Sequence, residues 1–299
     1  MSRSMFRVLP FLTALLLGVW GAERAFGETV NPSRRAQLAS VRTWGVQLTG
    51  YGAAGLDPVR DSTFDLVVID PSRWGDAGFW TPAEVRGAAR GRLLIAYLSL
   101  GAAEDFRAYW QSGWRVGQPA WLLRTDPDWP GNYDVAYWDP AWQALALREL
   151  DRVIDQGFHG AYLDLIDAYE QHPGRPAAAA EMVAWVCRAA AHARARDPEF
   201  LLIPQNAADL ILDPRYAACV DATGQEETFV FATDRPTDAA RRAGQLALYR
   251  HWRAAGKPVL TLDYATDPAL VRATYERARA AGLVPYVTTR ALDSLPPSR

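Results

Sequence analysis

Phe64-Asp65-Leu66-Val67-Val68-Ile69-Asp70 holds four consecutive aliphatic residues, three of them β-branched, and closes on a carboxylate. A run that is apolar on both faces marks a parallel strand buried between two layers. Outward from this strand, Asp65–Asp70, comparable runs stand at Thr43–Leu48, Arg92–Ser99, Gly160–Leu165, Phe200–Asn206, Cys219–Glu227, Pro258–Tyr264 and Val284–Arg290. Helical patterns fill the intervals. Pro82–Arg90 follows Thr81 as N-cap, and Ala141–Gln156 sets Leu147, Leu150 and Ile154 at helical spacing before Gly157 stops it. Ala177–Arg196, Asp238–Ala255 and Pro268–Ala281 complete the alternation. Eight strand–helix units predict an α/β protein, a single-domain (β/α)8 TIM barrel over 43–295 with a short tail at 296–299.

The chain has 299 residues, 49% hydrophobic, enough for one large core, and its net charge of −2 gives electrostatics no reason to draw nucleic acid. Arg3 and Arg7 precede an apolar run from Val8 to Trp20, and Ala25-Phe26-Gly27 places small residues at the −3 and −1 positions. This predicts a signal peptide over 1–27, a linker over 28–42 and an exported, periplasmic or extracellular protein. The apolar run is shorter than the ~20 residues of a spanning helix, so no stable membrane span is expected in the mature form. Export permits a disulfide between Cys187 and Cys219, but one falls in a helix pattern and the other opens a strand. The reading favours two small buried thiols. His159, His172, His192 and His251 are scattered and read as structural or surface residues, so neither metal nor cofactor is expected. Gly50-Tyr51-Gly52-Ala53-Ala54-Gly55 matches a dinucleotide-binding pattern, yet Asp57-Pro58 leaves no room for the long helix such a site opens, and it reads as a rim loop.

The stretch 101–139 is long and aromatic, with Trp110, Trp114, Trp121, Trp129 and Trp138 among its rings. Placed on the C-terminal face of a barrel, such rings either stack on sugars or form a local core. Polar residues gather at strand ends: Asp70 after the second strand, Asp164 and Asp167 after the fourth, Gln205 and Asn206 after the fifth. Glu226 and Glu227 end the sixth, Asp263 and Tyr264 the seventh, Arg290 the eighth. Barrel enzymes build active sites from this rim. Paired carboxylates without metal ligands suit glycosidic cleavage, which needs one acid and one anionic partner.

In Gly160-Ala161-Tyr162-Leu163-Asp164-Leu165-Ile166-Asp167-Ala168-Tyr169 the sequence resembles the endo-α-1,4-polygalactosaminidase type of glycoside hydrolase, family 114. Trp44–Leu48, Ala96–Gly101, Glu104–Trp110, Trp138-Asp139-Pro140, Pro204–Asn206, Gln225–Phe229, Leu262–Ala265 and Val284–Tyr286 continue the likeness in order. The resemblance implies catalytic carboxylates on the fourth and sixth strands, carried over to Asp164 as nucleophile or base and Glu226 as general acid. Glu226 is preferred to Glu227 because it shares a strand face with the small residues Ala222 and Gly224. Substrate-binding residues implied are Gln47, Asp70, Tyr97, Ser99, Trp138, Asp167, Tyr169, Asn206, Glu227, Asp263, Tyr264 and Arg290. The implied partner is a polysaccharide rich in cationic galactosamine, cleaved internally. A non-catalytic glycan-binding protein on the same barrel is the competing reading, and a metal-dependent deacetylase a third.

Overall fold

The computed structural model describes residues 32–76 and 78–296. The signal-peptide expectation lies outside them. All eight strands form inside the expected runs: β1 (Trp44–Gln47), β2 (Leu66–Ile69), β3 (Leu93–Ser99), β4 (Gly160–Asp164), β5 (Leu201–Pro204), β6 (Thr223–Glu226), β7 (Val259–Tyr264) and β8 (Val284–Thr288). The eight are parallel, with β1 to β5 making one ladder in chain order and β6 to β8 a second. A bridge between Gln205 and Gly224 joins the two. Where β1 lies beside β8, the Trp44 indole donates to the Val284 carbonyl at 2.9 Å. The architecture is of the (β/α)8 class.

The interior is packed with rings. Trp44 lies 6.1 Å from Tyr162 and 5.9 Å from Tyr286, centroid to centroid. Such rings fit only where a facing strand is thin, and Gly224 supplies the space: a Cβ there would sit 2.0 Å from the Tyr162 hydroxyl. The helices follow their capping signals. α4 (Pro140–Gln156) begins on Asp139, whose side chain accepts from the Ala141 N–H, and ends on Gly157 in the left-handed conformation. α3 (Pro82–Ala88) starts with a full capping box between Thr81 and Glu84. α5 (Ala178–Arg196), α7 (Ala239–Ala254) and α8 (Pro268–Ala280) match the expected helices within two residues.

Two expectations need correction, and one left open is resolved. Cys187 and Cys219 form a disulfide. Cys219 does not open β6; it closes a short helix, α6 (Pro214–Cys219), capped by Asp213, which brings it against α5. The expected linker 28–42 contains a helix, α1 (Arg34–Ser40). Its Leu38 is buried, and Arg35 pairs with Asp221 at 2.9 Å, so it seals the face of the barrel opposite the strand C-termini. The stretch 101–139, whose rings were left open between sugar stacking and local core, carries strands of its own. Ala102–Glu104, Leu122–Thr125 and Asn132–Val135 pair as a small antiparallel sheet. Most of its rings join a local core: Trp110, Trp114 and Trp121 follow one another and reach Trp142 of α4, with successive centroids 5.1–5.3 Å apart. No helix among the described residues is long and apolar enough to cross a membrane.

Candidate active site

The strand C-termini open into one cleft of about 350 Å3, and Asp164 and Glu226 both line it. They reach it from different strands by the same rule. Tyr162 and Asp164 share one face of β4, Gly224 and Glu226 one face of β6, because side chains alternate with a period of two. The lower pair is in contact, Tyr162 against Gly224, so the upper pair faces inward over the same floor.

Every oxygen of the two carboxylates has a donor. Asp164 Oδ2 accepts from the Tyr97 hydroxyl at 2.5 Å and Oδ1 from the Leu165 N–H at 2.7 Å. Glu226 Oε1 accepts from the Tyr264 hydroxyl and Oε2 from the Asn206 amide at 3.1 Å. The Asn206 carbonyl oxygen also accepts from the Glu226 N–H at 3.1 Å, fixing the amide's orientation. Tyr97, Tyr162 and Tyr264 are held far above the ordinary phenol range by burial and by the carboxylate charges, so all three stay protonated; Tyr97 and Tyr264 donate to the pair, while the Tyr162 hydroxyl is buried without a hydrogen-bond partner. Burial, and next the charge of Glu226, pushes Asp164 up to about 7. Asp167 is pushed up to about 6 by burial and by Glu170 and Glu226, against a restraining hydrogen bond from Asn206.

The backbone turns sharply where these side chains leave the strands. Leu165, Asn206, Ala207 and Glu227 have φ of 55°, 60°, 50° and 54°. Left-handed backbone is uncommon outside glycine and gathers at functional sites. Gly101, after β3, passes so close to the Leu165 carbonyl that a Cβ would lie 2.0 Å from it, and any side chain here would displace the turn carrying Asp164.

Of the residues expected at the site, Asp70, Tyr97, Asn206, Tyr264 and Arg290 line the same cleft as the two carboxylates. Others stand behind the wall. Gln47 is buried and donates to the carbonyls of Thr49 and Asp293. Ser99 accepts from the Ala102 N–H, holding the turn into the inserted sheet. Asp263 is fully buried and accepts from the N–H groups of Phe229 and Val230, which pins the turn after Glu226. Glu227 points away from Glu226, accepts from the Ala232 N–H and faces Arg290 at 3.5 Å. Trp138 packs on His172 and under the Arg175 guanidinium, and Tyr169 donates to Asp209; neither lines the cleft.

Sequence reasoning missed Glu104, Phe106 and Arg107 as cleft residues, while Trp129, one of the rings left open between sugar stacking and local core, lines the cleft. Arg107 is nearly buried and binds Asp70 at 2.7 Å and Glu104 at 2.7 Å, with its guanidinium 5.6 Å from the Tyr97 ring. It therefore ties the inserted sheet to the end of β2 and braces the phenol that holds Asp164. The spacing of Glu104 and Arg107 was a readable signal; the bond to Asp70 was not. Among the described residues no cluster of three or more His, Cys, Asp or Glu is placed to hold a metal ion.

The chain is 65% identical to a Deinococcus radiodurans protein over 265 residues, covering 88% of this chain and 85% of that one. Among solved structures it is similar to Aspergillus fumigatus Ega3 in complex with galactosamine, with a TM-score of 0.66 and 19% identity over 88% of this chain and 96% of that one. It is equally similar to the glycoside hydrolase domain of Pseudomonas aeruginosa PelA, with a TM-score of 0.66 and 21% identity over 85% and 97%. Likeness at this identity establishes the shared fold. The model of glycoside hydrolase family GH114 matches residues 27–298, nearly the full length, and the chain belongs to that family.

Proposed function

We propose that the protein is an exported, endo-acting glycoside hydrolase that cleaves an α-1,4-linked, galactosamine-containing polysaccharide, with Asp164 and Glu226 as its catalytic pair and no cofactor. One observation carries the reading: two carboxylates from different strands line a single cleft, each held at both oxygens by donors that fix its direction. Glycosidic cleavage asks for this pairing, one group giving a proton to the leaving oxygen and the other stabilising or attacking the anomeric carbon. The α-1,4-linked polymer comes from the family resemblance, and the sugar agrees with Ega3, solved in complex with galactosamine. It agrees with the cleft, where five carboxylates (Asp70, Glu104, Asp126, Asp164 and Glu226) outnumber two guanidinium groups (Arg107 and Arg290), an excess that favours cationic sugars. Asp70, Tyr97, Asn206, Tyr264 and Arg290 then contact or orient substrate, while Gln47, Ser99, Asp167, Glu227 and Asp263 hold the wall.

Two role assignments compete. The family resemblance makes Asp164 the nucleophile or base and Glu226 the acid. The raised proton affinity of Asp164 in the free site favours the reverse, with Asp164 protonated at the start. Small anions separate them in a retaining mechanism by the anomer formed: with azide, a Gly variant of the nucleophile gives a glycosyl azide inverted relative to the substrate, and a Gly variant of the acid gives the retained one.

The test is incubation of the purified protein with partly deacetylated α-1,4-galactosamine polymer. An early collapse of mean chain length, lost in Asp164→Asn and Glu226→Gln, is expected. Oligosaccharide binding without any shortening would establish the glycan-binding alternative instead.

A further inference from the structure

The cleft is not uniformly acidic. Arg290, just past β8, lines it with its side chain 42% exposed, and its ionic contact is a long 3.5 Å approach to Glu227. The guanidinium sits between two rings, 5.0 Å from the centroid of Tyr264 and 5.7 Å from that of Trp129. Tyr264 is the phenol that donates to Glu226. Trp129 comes from the inserted sheet on the other side of the mouth, lines the cleft and is 52% exposed. A fixed cation, with N–H groups to spare, therefore stands one side chain away from Glu226, beside an open indole face. Asp126, another acid lining the cleft, has Oδ1 occupied by the N–H groups of Asp128 and Trp129. Arg107, the other cation of the cleft, is neutralised by Asp70 and Glu104.

From this asymmetry we infer that Arg290 and Trp129 form a subsite selective for a neutral N-acetylated hexosamine, adjoining the catalytic pair on one fixed side of the cleaved bond. The inference rests on the hydrolase reading above. An ammonium group at that sugar meets a like charge across a short, partly desolvated gap, whereas an acetamido carbonyl accepts from the guanidinium. The apolar face of the same ring stacks on Trp129. The cleft thus reads acetylation pattern: free amines are favoured where carboxylates are unpaired and disfavoured beside Arg290.

The experiment uses α-1,4-galactosamine oligomers of mixed acetylation, with products sequenced by mass spectrometry. The wild type is expected to raise the ratio of N-acetylated to free sugar on one side of the cut about tenfold above that of the oligomer pool. Arg290→Lys keeps the charge and the bias. Arg290→Met removes the charge and brings the frequency to that of the pool, and Arg290→Glu inverts it. Product patterns from Arg290→Met identical to wild type overturn the inference and leave the hydrolase reading intact. So does a wild-type pattern with free amines enriched on both sides. No cleavage of any oligomer by a folded wild type overturns both. Melting temperatures confirm that each variant compared is folded.

Discussion

Replacing Tyr97 by Phe removes one oxygen from the site and leaves its packing in place. That oxygen donates to Asp164 Oδ2 at 2.5 Å, while the Leu165 N–H at 2.7 Å remains on the other oxygen. A hydrogen bond to an ionised carboxylate is worth about 1.5–3 kcal/mol, which corresponds to about one to two pKa units. The lost donor favoured the charged form, so the Asp164 pKa must rise from its starting position at about 7. The assay is the pH dependence of kcat/KM for Tyr97→Phe against wild type. If Asp164 works as the anion, the acid limb moves up by about one to two units, and activity below the wild-type pKa falls roughly ten- to a hundredfold, returning at alkaline pH. If Asp164 is the acid, the alkaline limb moves up instead. The direction is common to both roles, and the limb that moves identifies which one operates. A folded Tyr97→Phe enzyme with neither limb displaced refutes the claim that this phenol holds a catalytic carboxylate.

Other outcomes follow from the same geometry. Asp164→Asn should stabilise the protein as pH rises: the folded pKa of about 7 lies above the unfolded value, so the aspartate's stabilising proton is bound in the folded state at low pH and is lost between about pH 4 and 7. The melting temperature of Asp164→Asn relative to wild type should climb across that window, and a constant difference contradicts it. Gly224→Ala sets a Cβ 2.0 Å from the Tyr162 hydroxyl, so it should cost at least the ~1–3 kcal/mol of ordinary overpacking and lower kcat through Glu226, two residues on. Denaturant unfolding checks the first part, and a wild-type midpoint would count against the packing described. Reduction of the Cys187–Cys219 bond, which closes a sequence separation of 32, should lower stability by about 3–4 kcal/mol on chain-entropy grounds. Indifference of the unfolding curve to reductant would show that the bridge is absent.

Much of this architecture was legible in the sequence because burial on both faces leaves an unbroken apolar run, as in Leu66–Ile69, and helices announce themselves with signals such as Asp139-Pro140 and Gly157. Glycine at 224 and acid at 226 encode the cleft face of β6 by period alone, while at 227 the chain leaves the strand with positive φ and the next carboxylate swings outward. What escaped the sequence was long-range. Asp213-Pro214 is an ordinary helix start and was readable, yet an expected strand at Cys219 concealed it, and with it the disulfide. Asp263 stands at a strand end like the catalytic residues, but faces outward from the barrel and spends its charge on two backbone N–H groups. Trp138 was placed at the site on the family resemblance, whereas the ring that lines the cleft is Trp129, carried there by the inserted sheet.

The most direct test is the double-variant cycle of Asp164→Asn and Glu226→Gln, read as initial rates on the α-1,4-galactosamine polymer. If the two carboxylates operate as one unit, each single variant loses roughly 10³–10⁵ in kcat while remaining folded, and the double variant is scarcely worse than either. Either single variant turning over polymer at near wild-type rate contradicts the assignment of this pair.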